Sequence, residues 1–258
     1  MNAPISPSAP VRPCAPAEAP TPTPTRTLKV GGIAGFSAQD YPGKFSLVVF
    51  VQGCPWRCGY CHNPHLQPRE SAHAVALPWA EILQKLRRRV GLLDAVVFSG
   101  GEPTMDPALA AAMRDVRALG FGVGLHTAGI YPRRLEDVLP LVDWVGLDIK
   151  AGPASYDGIT GVADSARSAF ASAALVLSSG VANEVRTTVH PSLHSEQDIV
   201  DLALALQAMG VRNYALQLFR ATGCTDTGLH APAAARYPGE ALLARLSGLF
   251  ERFTFRSD

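Results

Sequence analysis

The feature that most constrains this chain is a regular alternation of short apolar runs with helix-forming segments from Leu28 onward. Apolar runs rich in β-branched residues predict six strands, at residues 46–51, 95–98, 121–126, 144–149, 185–189 and 214–219. Apolar residues fill most of these runs without alternating, which is typical of strands buried on both faces. The segments after the strands predict helices at residues 78–90, 107–119, 132–139, 165–179, 195–209 and 239–250.

This alternation predicts an α/β fold with a parallel sheet and right-handed crossovers. An open doubly wound sheet and a complete or partial barrel both satisfy the pattern. In either architecture, ligands gather at the carboxyl ends of the strands. Candidate functional residues are therefore those that directly follow a predicted strand.

Composition separates the first 27 residues from the rest of the chain. They contain eight prolines in a Pro/Ala/Thr-rich pattern that cannot bury a core, so we expect a disordered tail at residues 1–27. An organelle transit peptide is an alternative interpretation, whereas the segment has no apolar stretch that suits a secretory signal. Residues 28–258 are then expected to form one domain.

Charge, hydropathy and cysteine content exclude several classes of protein. The formal net charge of +1 gives no electrostatic signal for nucleic acid or for a membrane surface. No apolar run reaches the roughly 18 residues of a transmembrane helix, so we expect a cytoplasmic protein. Five cysteines are too few for a disulfide-stapled scaffold.

Three of the five cysteines stand together on the loop after the first predicted strand. Cys54, Cys58 and Cys61 have the spacing C-x3-C-x2-C. Thiolates hold iron–sulfur clusters, and three of them leave one iron of a cube open for a substrate. The main alternative is a structural zinc site with His62 or His65 as fourth ligand, although the second ligand pair usual in such sites is missing.

The sequence around these cysteines resembles that of a known family. An aromatic residue, Tyr60, precedes the third cysteine, and the segment at residues 40–44 reads Asp-Tyr-Pro-Gly-Lys. In these features the chain resembles the radical S-adenosylmethionine (SAM) enzymes, and among them the glycyl-radical activases of anaerobic ribonucleoside-triphosphate reductases. The resemblance spans roughly residues 30–220. It implies a radical SAM domain at residues 28–258, with an incomplete (β/α)6 TIM-like barrel.

The resemblance also implies the cofactors. A 4Fe–4S cluster would be held by Cys54, Cys58 and Cys61, with the amino and carboxylate groups of SAM on the fourth iron. One electron would cleave SAM to methionine and a 5′-deoxyadenosyl radical, which abstracts a hydrogen atom. Tyr60 and the backbone at Cys61 and His62 would lie against the adenine.

A second motif, Gly100-Gly101-Glu102, follows the second predicted strand. Alone, this motif often just makes a turn before a helix, although two glycines also let a ligand approach the backbone. Beside the cysteine loop, it resembles the family motif that binds the amino group of SAM. The resemblance implies a charge-assisted hydrogen bond from that ammonium to Glu102.

Polar residues also follow the third and fourth predicted strands. Thr127 matches a family Asp-Thr-Asn-Gly segment in which His126 here replaces the carboxylate, so Thr127 is a candidate SAM contact. Asp148 and Lys150 share one side of their strand. The resemblance implies that they lie beside SAM as catalytic residues and that Lys150 meets its carboxylate or ribose, with a structural ion pair as the alternative.

The fifth and sixth predicted strands supply further candidates. Arg186 resembles an arginine near the SAM carboxylate, and His190 lies where it could reach a ligand or simply occupy a turn. Arg220, after the sixth strand, is a candidate without an assigned role. Cys14 and Cys224 are interpreted as bystanders.

The predicted partner is an anaerobic ribonucleoside-triphosphate reductase that receives a glycyl radical, with flavodoxin or ferredoxin as electron donor. Three alternatives remain open at this stage. The chain could act on a small molecule such as a 7-deazaguanine precursor, activate another glycyl-radical enzyme, or serve as a non-catalytic zinc-binding adaptor.

Overall fold

The structure, a computed structural model, describes residues 27–70, 77–230 and 237–257. The expected tail at residues 1–27 lies outside the described residues except for Thr27, and so does Cys14. The division of the chain into a tail and one domain at residues 28–258 therefore stays a prediction.

The described residues form one eight-stranded sheet, in which the strands follow each other in chain order. The strands are β1 (Val30–Ser37), β2 (Ser46–Val51), β3 (Ala95–Gly100), β4 (Gly122–Thr127), β5 (Trp144–Asp148), β6 (Ala182–Val189), β7 (Asn213–Leu218) and β8 (Arg252–Arg256). Strands β2 to β8 are parallel, and β1 runs antiparallel to β2. In the described part of the chain, β1 and β8 do not pair with each other, so the sheet stays open.

This architecture confirms the predicted incomplete barrel. Strands β2 to β7 are the six predicted strands, and each pairs in parallel with the next. The predicted burial on both faces is also found, since neighbouring residues such as Val48 and Val49 are both fully buried. The flanking strands β1 and β8 were not predicted.

In the residues that the structure describes, seven α-helices cover the sheet or connect its strands. They are α1 (Trp79–Arg87), α2 (Leu109–Ala118), α3 (Pro132–Val138), α4 (Pro153–Thr160), α5 (Ser165–Ser178), α6 (Glu196–Ala208) and α7 (Glu240–Ser247). Six of them match predicted helices, and only α4 was not predicted. Among these helices, none is both long and apolar enough to cross a membrane.

The loop between β1 and β2 folds inward and forms a floor for the sheet interior. The ring of Tyr41 stacks on Trp144, with 5.3 Å between centroids, and the Asp40 carbonyl accepts a hydrogen bond from His126 Nε2 at 2.7 Å. Gly124 makes room for this loop, because a Cβ there would lie 3.2 Å from the Tyr41 ring. The space at the carboxyl ends of the strands is thereby closed from below.

Candidate active site

The cysteine loop follows β2 and is held by backbone hydrogen bonds to other segments. Gly53 N–H donates to the Leu66 carbonyl at 2.7 Å, and Arg57 N–H donates to the Thr160 carbonyl at 2.8 Å. Gln52, at 4% exposure, braces the loop that follows by donating to the Pro68 carbonyl at 2.6 Å. These contacts fix the loop to the end of α4 and to the segment that follows the cysteines.

One open cavity of about 800 Å³, solvent-connected space included, lies at this end of the sheet. Ten of the predicted site residues line it: Cys54, Cys58, Cys61, Tyr60, His62, Gly100, Gly101, Thr127, Asp148 and Lys150. The carboxyl ends of the strands therefore bring most of the predicted site together.

The three cysteines are free thiols that are partly buried in the cavity wall. Burial raises the pKa of the Cys54 thiol to about 12, and it also raises the pKa of Cys58. Without a metal the sulfurs of Cys54 and Cys58 are therefore protonated at neutral pH. Iron must displace those protons, because the thiolate is the metal ligand.

The arrangement of these thiols suits a cluster better than a single ion. Within residues 27–70, 77–230 and 237–257, no three His, Cys, Asp or Glu side chains converge as one metal ion requires. In an iron–sulfur cube, by contrast, each thiolate binds its own iron at a separate corner. Three thiols spread around one cavity match that requirement.

Lys150 places a buried positive charge in the cavity wall, beside the cysteine loop. Its Nζ lies 3.9 Å from Asp148 Oδ2 and 5.4 Å from the centre of the Tyr60 ring. Burial lowers the pKa of Lys150, but the acidic groups of Tyr60, Cys58 and Asp148 outweigh it and hold the pKa well above its usual value. The ammonium therefore stays charged and can face an anionic group of a ligand.

Tyr60 lines the cavity but is mostly buried in its wall, and its predicted position against the adenine stays a prediction. Its side chain is only 6% exposed, and its ring packs beside Lys150, so little of the ring face is free to stack on a base. Its buried hydroxyl has no hydrogen-bond partner among the described residues. An unpaired buried hydroxyl at a cavity wall is costly unless a bound group satisfies it.

The two glycines at the end of β3 are required by the protein backbone itself. Gly100 has a φ of +119°, and a Cβ there would overlap the backbone of Val51. A Cβ at Gly101 would overlap the carbonyl of Gly53. The ends of β2 and β3 thus approach closely at the cavity, and the same absence of side chains leaves their backbone accessible to a ligand.

Glu102 lies behind the cavity wall and does not line it. Its fully buried carboxylate accepts hydrogen bonds from Thr104 N and Oγ1, from Thr127 Oγ1 at 2.7 Å and from Ala128 N at 3.0 Å. Burial raises the pKa of Glu102 above its ordinary value, although these donors act in the opposite direction. Direct contact with SAM therefore stays a prediction, and the structure shows Glu102 holding Thr127 and Ala128 in place.

Arg186 and His190 also lie outside the residues that line the cavity. Arg186 Nε donates to Glu184 at 2.9 Å, Arg256 donates to the same carboxylate through both terminal nitrogens, and the Arg186 guanidinium covers Trp144 at 4.9 Å. His190 is 5% exposed and packs edge-on against Phe219. The predicted roles of Arg186 and His190 toward a ligand are not tested by these contacts.

The segment after β7 contacts the cysteine loop. His62 Nε2 bonds to the Arg220 carbonyl at 2.9 Å, its ring stacks on Phe219, and Cys224 Sγ donates to the Gly59 carbonyl at 3.3 Å. This contact was not predicted, because it joins segments about 160 residues apart. Cys224 has no assigned role toward a metal, and it supports the loop by packing.

Seven further residues that line the cavity were not among the predicted site residues: Trp56, Asn63, Gln67, Ser99, His126, Ala128 and Thr188. Trp56, inside the cysteine loop, also packs edge-on against Tyr156. Thr188 lines the cavity from β6, and its alternation with Glu184 and Arg186 is the sequence signal that places it on the same face of the strand as these two residues. Trp56 carries no such signal, because its position depends on the loop conformation.

These observations fit a 4Fe–4S cluster with bound SAM. Three thiols surround one cavity, a charged ammonium meets only one carboxylate at 3.9 Å, and a buried hydroxyl is unpaired among the described residues. Cys54, Cys58 and Cys61 would hold the cluster, and Lys150 would face the carboxylate of SAM. The Lys150 ammonium would then gain an anionic partner.

Comparison with known proteins supports this interpretation of the site. Residues 48–214, well over half of the chain, match the model of the radical SAM superfamily. A protein of Methanocaldococcus jannaschii, named as a glycyl-radical enzyme activating enzyme, is 30% identical over 76% of this chain and 82% of its own length. The pyruvate formate-lyase-activating enzyme of Clostridium pasteurianum is 34% identical over 68% of this chain and 74% of its own length.

Solved structures show the same fold at low identity. SuiB of Streptococcus suis with precursor peptide SuiA has a TM-score of 0.61 at 16% identity, over 81% of this chain and 48% of that chain. QueE from Escherichia coli has a TM-score of 0.54 at 18% identity, over 90% of this chain and 95% of that chain. The chain thus spans about half of SuiB, and identities this low establish the fold alone.

The cofactors agree with the family match. Enzymes of this superfamily use a 4Fe–4S cluster and SAM, and SuiB has also been solved with SAM bound. The matched residues include all three cysteines, Glu102 and Lys150. On the match of residues 48–214 and the 30–34% identity to these relatives, the chain belongs to the radical SAM superfamily and is an enzyme of that superfamily.

Proposed function

We propose that the protein is a cytoplasmic activase that generates a glycyl radical on a partner enzyme. The observation that carries this proposal is the pair of relatives that cover two thirds or more of both chains and are named as activating enzymes of glycyl-radical proteins. The fold adds support, because the sheet between β1 and β8 is open and leaves lateral access for a protein segment.

In the proposed reaction, the cysteines, Lys150 and Asp148 would each have a separate role. Cys54, Cys58 and Cys61 hold the cluster at the cavity wall, and the Lys150 ammonium orients the carboxylate of SAM. Asp148, two residues earlier on the same side of the chain, lies 3.9 Å from that ammonium. The cofactors supply a carbon-centred radical for hydrogen abstraction.

The wall behind these groups fixes their positions. Glu102 ties Thr127 and Ala128 to the end of β3, so the cavity keeps its shape when it is empty. The roles of Arg186 and His190 remain part of the proposal: Arg186 lies one layer below Thr188 on the same face of β6, and His190 lies behind Phe219.

For the partner, we propose an anaerobic ribonucleoside-triphosphate reductase, with flavodoxin or ferredoxin as electron donor. This proposal is supported by the local sequence, namely the Asp-Tyr-Pro-Gly-Lys segment at residues 40–44 together with the cysteine loop. In the structure this segment forms the floor of the sheet interior, with Tyr41 on Trp144. It therefore shapes the region into which a glycine-bearing segment would enter.

The experiment uses the full chain with reconstituted cluster, reduced and mixed anaerobically with SAM and the purified reductase of the same genome. We expect the doublet of a glycyl radical in the electron paramagnetic resonance spectrum of the reductase. The Cys58→Ala variant is the control and should give no doublet. SAM cleavage without any doublet on the reductase would overturn the assigned partner and leave another glycyl-radical enzyme or a small molecule as substrate.

A further inference from the structure

Four large apolar side chains are exposed together on a surface far from the cysteine cavity. They are Phe36 (60% exposed), Phe45 (52%), Val90 (56%) and Leu92 (71%). In the part of the chain that the structure describes, only one other large apolar side chain, Leu204, is exposed to a similar degree. We name this group of four the basal patch. Clustered apolar exposure of this kind marks interaction sites, whereas scattered single residues do not.

Contacts between three segments hold the basal patch together. The rings of Phe36 and Phe45 lie 5.3 Å apart. Phe45 N–H donates to the Asp94 carboxylate at 2.8 Å, and Asp94 N–H donates back to the Phe45 carbonyl at 2.8 Å. Arg89 donates to the Gly35 carbonyl beside Phe36. The end of β1, the start of β2 and the loop before β3 therefore form one continuous face.

The rim of the basal patch is basic. Lys44, Arg87 and Arg88 are exposed next to it in the chain, and no ion pair among the described residues involves any of the three. Asp94, the nearby acid, is already bonded to the backbone of Phe45. Charge complementarity therefore favours an acidic surface as the occupant and disfavours a second copy of this chain, in which two basic rims would meet.

Resting on the proposed function, we propose that the basal patch docks the body of the glycyl-radical partner through an acidic surface that carries apolar side chains. The patch lies at the amino ends of the parallel strands, and the cysteine loop lies at their carboxyl ends. Strand β2 alone separates them by about 17 Å, at roughly 3.3 Å per residue over its length. Docking there leaves the cavity free for the glycine-bearing segment, whereas an electron donor needs to approach the cysteines.

Two-point binding explains why such a surface would serve an activase. A flexible segment that enters the cavity binds weakly on its own, because ordering it costs entropy. Anchoring the body of the partner raises the effective concentration of that segment at the cavity. The basal patch would thus set the affinity for the partner and leave SAM cleavage unaffected.

The test compares three variants of the full, cluster-loaded chain. Phe36→Ser combined with Leu92→Ser removes apolar area, Arg87→Glu combined with Arg88→Glu reverses the rim charge, and Leu204→Ser is the matched control on α6. Binding to the purified reductase is measured by biolayer interferometry without oxygen, at low and at physiological ionic strength. Dithionite-driven SAM cleavage without partner and sedimentation velocity are recorded for each variant.

We expect the apolar variant to weaken reductase binding by about tenfold or more, since central apolar contacts dominate interface affinity. The charge-reversed variant should slow association about tenfold at low ionic strength and less at physiological ionic strength. Leu204→Ser should bind as the wild type does, and all variants should cleave SAM at the wild-type rate.

Several results would overturn the docking proposal. One such result is that the apolar variant and the charge-reversed variant both bind the reductase with wild-type affinity. Another is that charge reversal speeds association with the reductase. A third is that the wild type does not bind the reductase. A wild-type dimer that the apolar variant dissociates would assign the patch to a second copy, and patch-dependent flotation with phosphatidylglycerol vesicles would assign it to a membrane. Patch-dependent binding without a glycyl doublet would support docking and count against the proposed activity alone.

Discussion

Replacing Glu102 by glutamine tests the idea that this carboxylate builds the cavity wall. Its Oε1 accepts three hydrogen bonds, and its Oε2 accepts one from Ala128 N–H. Glutamine has only one side-chain oxygen, which takes the place of Oε1, where three donors converge. Its amide N–H group then takes the place of Oε2 and faces Ala128 N–H, so two donors meet. A buried donor without a partner costs about 1–3 kcal/mol. The other bonds lose their charge assistance, and relief from burying a charge offsets part of that loss.

We therefore expect Glu102→Gln to lower the free energy of unfolding by about 2 kcal/mol, which corresponds to a melting temperature lower by about 4–8 °C for a domain of this size. The assay is thermal unfolding of the apoprotein by circular dichroism, with SAM affinity of the cluster-loaded protein as second readout. SAM binding should weaken with the stability, because Thr127 and Ala128 lose their support. The exposed Glu136→Gln is the control. Weakened SAM binding with an unchanged melting temperature would refute this reasoning and show direct contact of Glu102 with SAM.

Three further predictions follow from the site. Cys58→Ala should lose the cluster while Cys224→Ala keeps it, because only Cys58 is a predicted ligand; equal iron loss in both variants, measured by iron and sulfide analysis, would contradict the assignment. Lys150→Met should weaken SAM binding about tenfold or more in equilibrium titration with the cluster retained, since the charge facing the ligand carboxylate is lost; unchanged affinity would remove Lys150 from the site. Glu184→Gln should destabilise the apoprotein at neutral pH. Burial raises the pKa of Glu184, but the hydrogen bonds and charges of Arg256 and Arg186 outweigh it and hold the pKa below its ordinary value of 4.5. The carboxylate's contribution is therefore present above about pH 4.5 and is lost as the pH falls through the lowered pKa. In urea unfolding, the difference in free energy of unfolding between wild type and Glu184→Gln should become smaller below that pH. A difference that grows there would contradict the predicted direction of the pH dependence.

The six central strands could be predicted because burial on both faces leaves a continuous apolar run in the sequence. Strand β1 could not be predicted in this way, because it contains three glycines and most of its residues are only half-buried. Strand β8 alternates polar and aromatic residues and lies at the sheet edge, where burial imposes less on the sequence. Helix α4 is short and carries a glycine, so its pattern is weak.

The site was predictable at the level of loops and less so at the level of side chains. Cysteine spacing and the Gly-Gly-Glu motif survive in the linear sequence, and ten of the predicted residues do line one cavity. The sharing of the Glu184 carboxylate between Arg186 and Arg256 was not predictable, because Arg256 lies on β8, a strand that the sequence did not reveal. Glu102 was placed in the right motif, but its four donors come from backbone and hydroxyl groups whose positions only the folded chain defines.

Product analysis of SAM cleavage is the measurement that most directly tests the central claim that this cavity is a radical SAM site. Full-length protein is reconstituted with iron and sulfide without oxygen, reduced with dithionite and incubated with SAM, and the products are separated by liquid chromatography. We predict 5′-deoxyadenosine and methionine in equal amounts. A preparation that contains the intact cluster and binds SAM, yet forms no 5′-deoxyadenosine, would contradict the account.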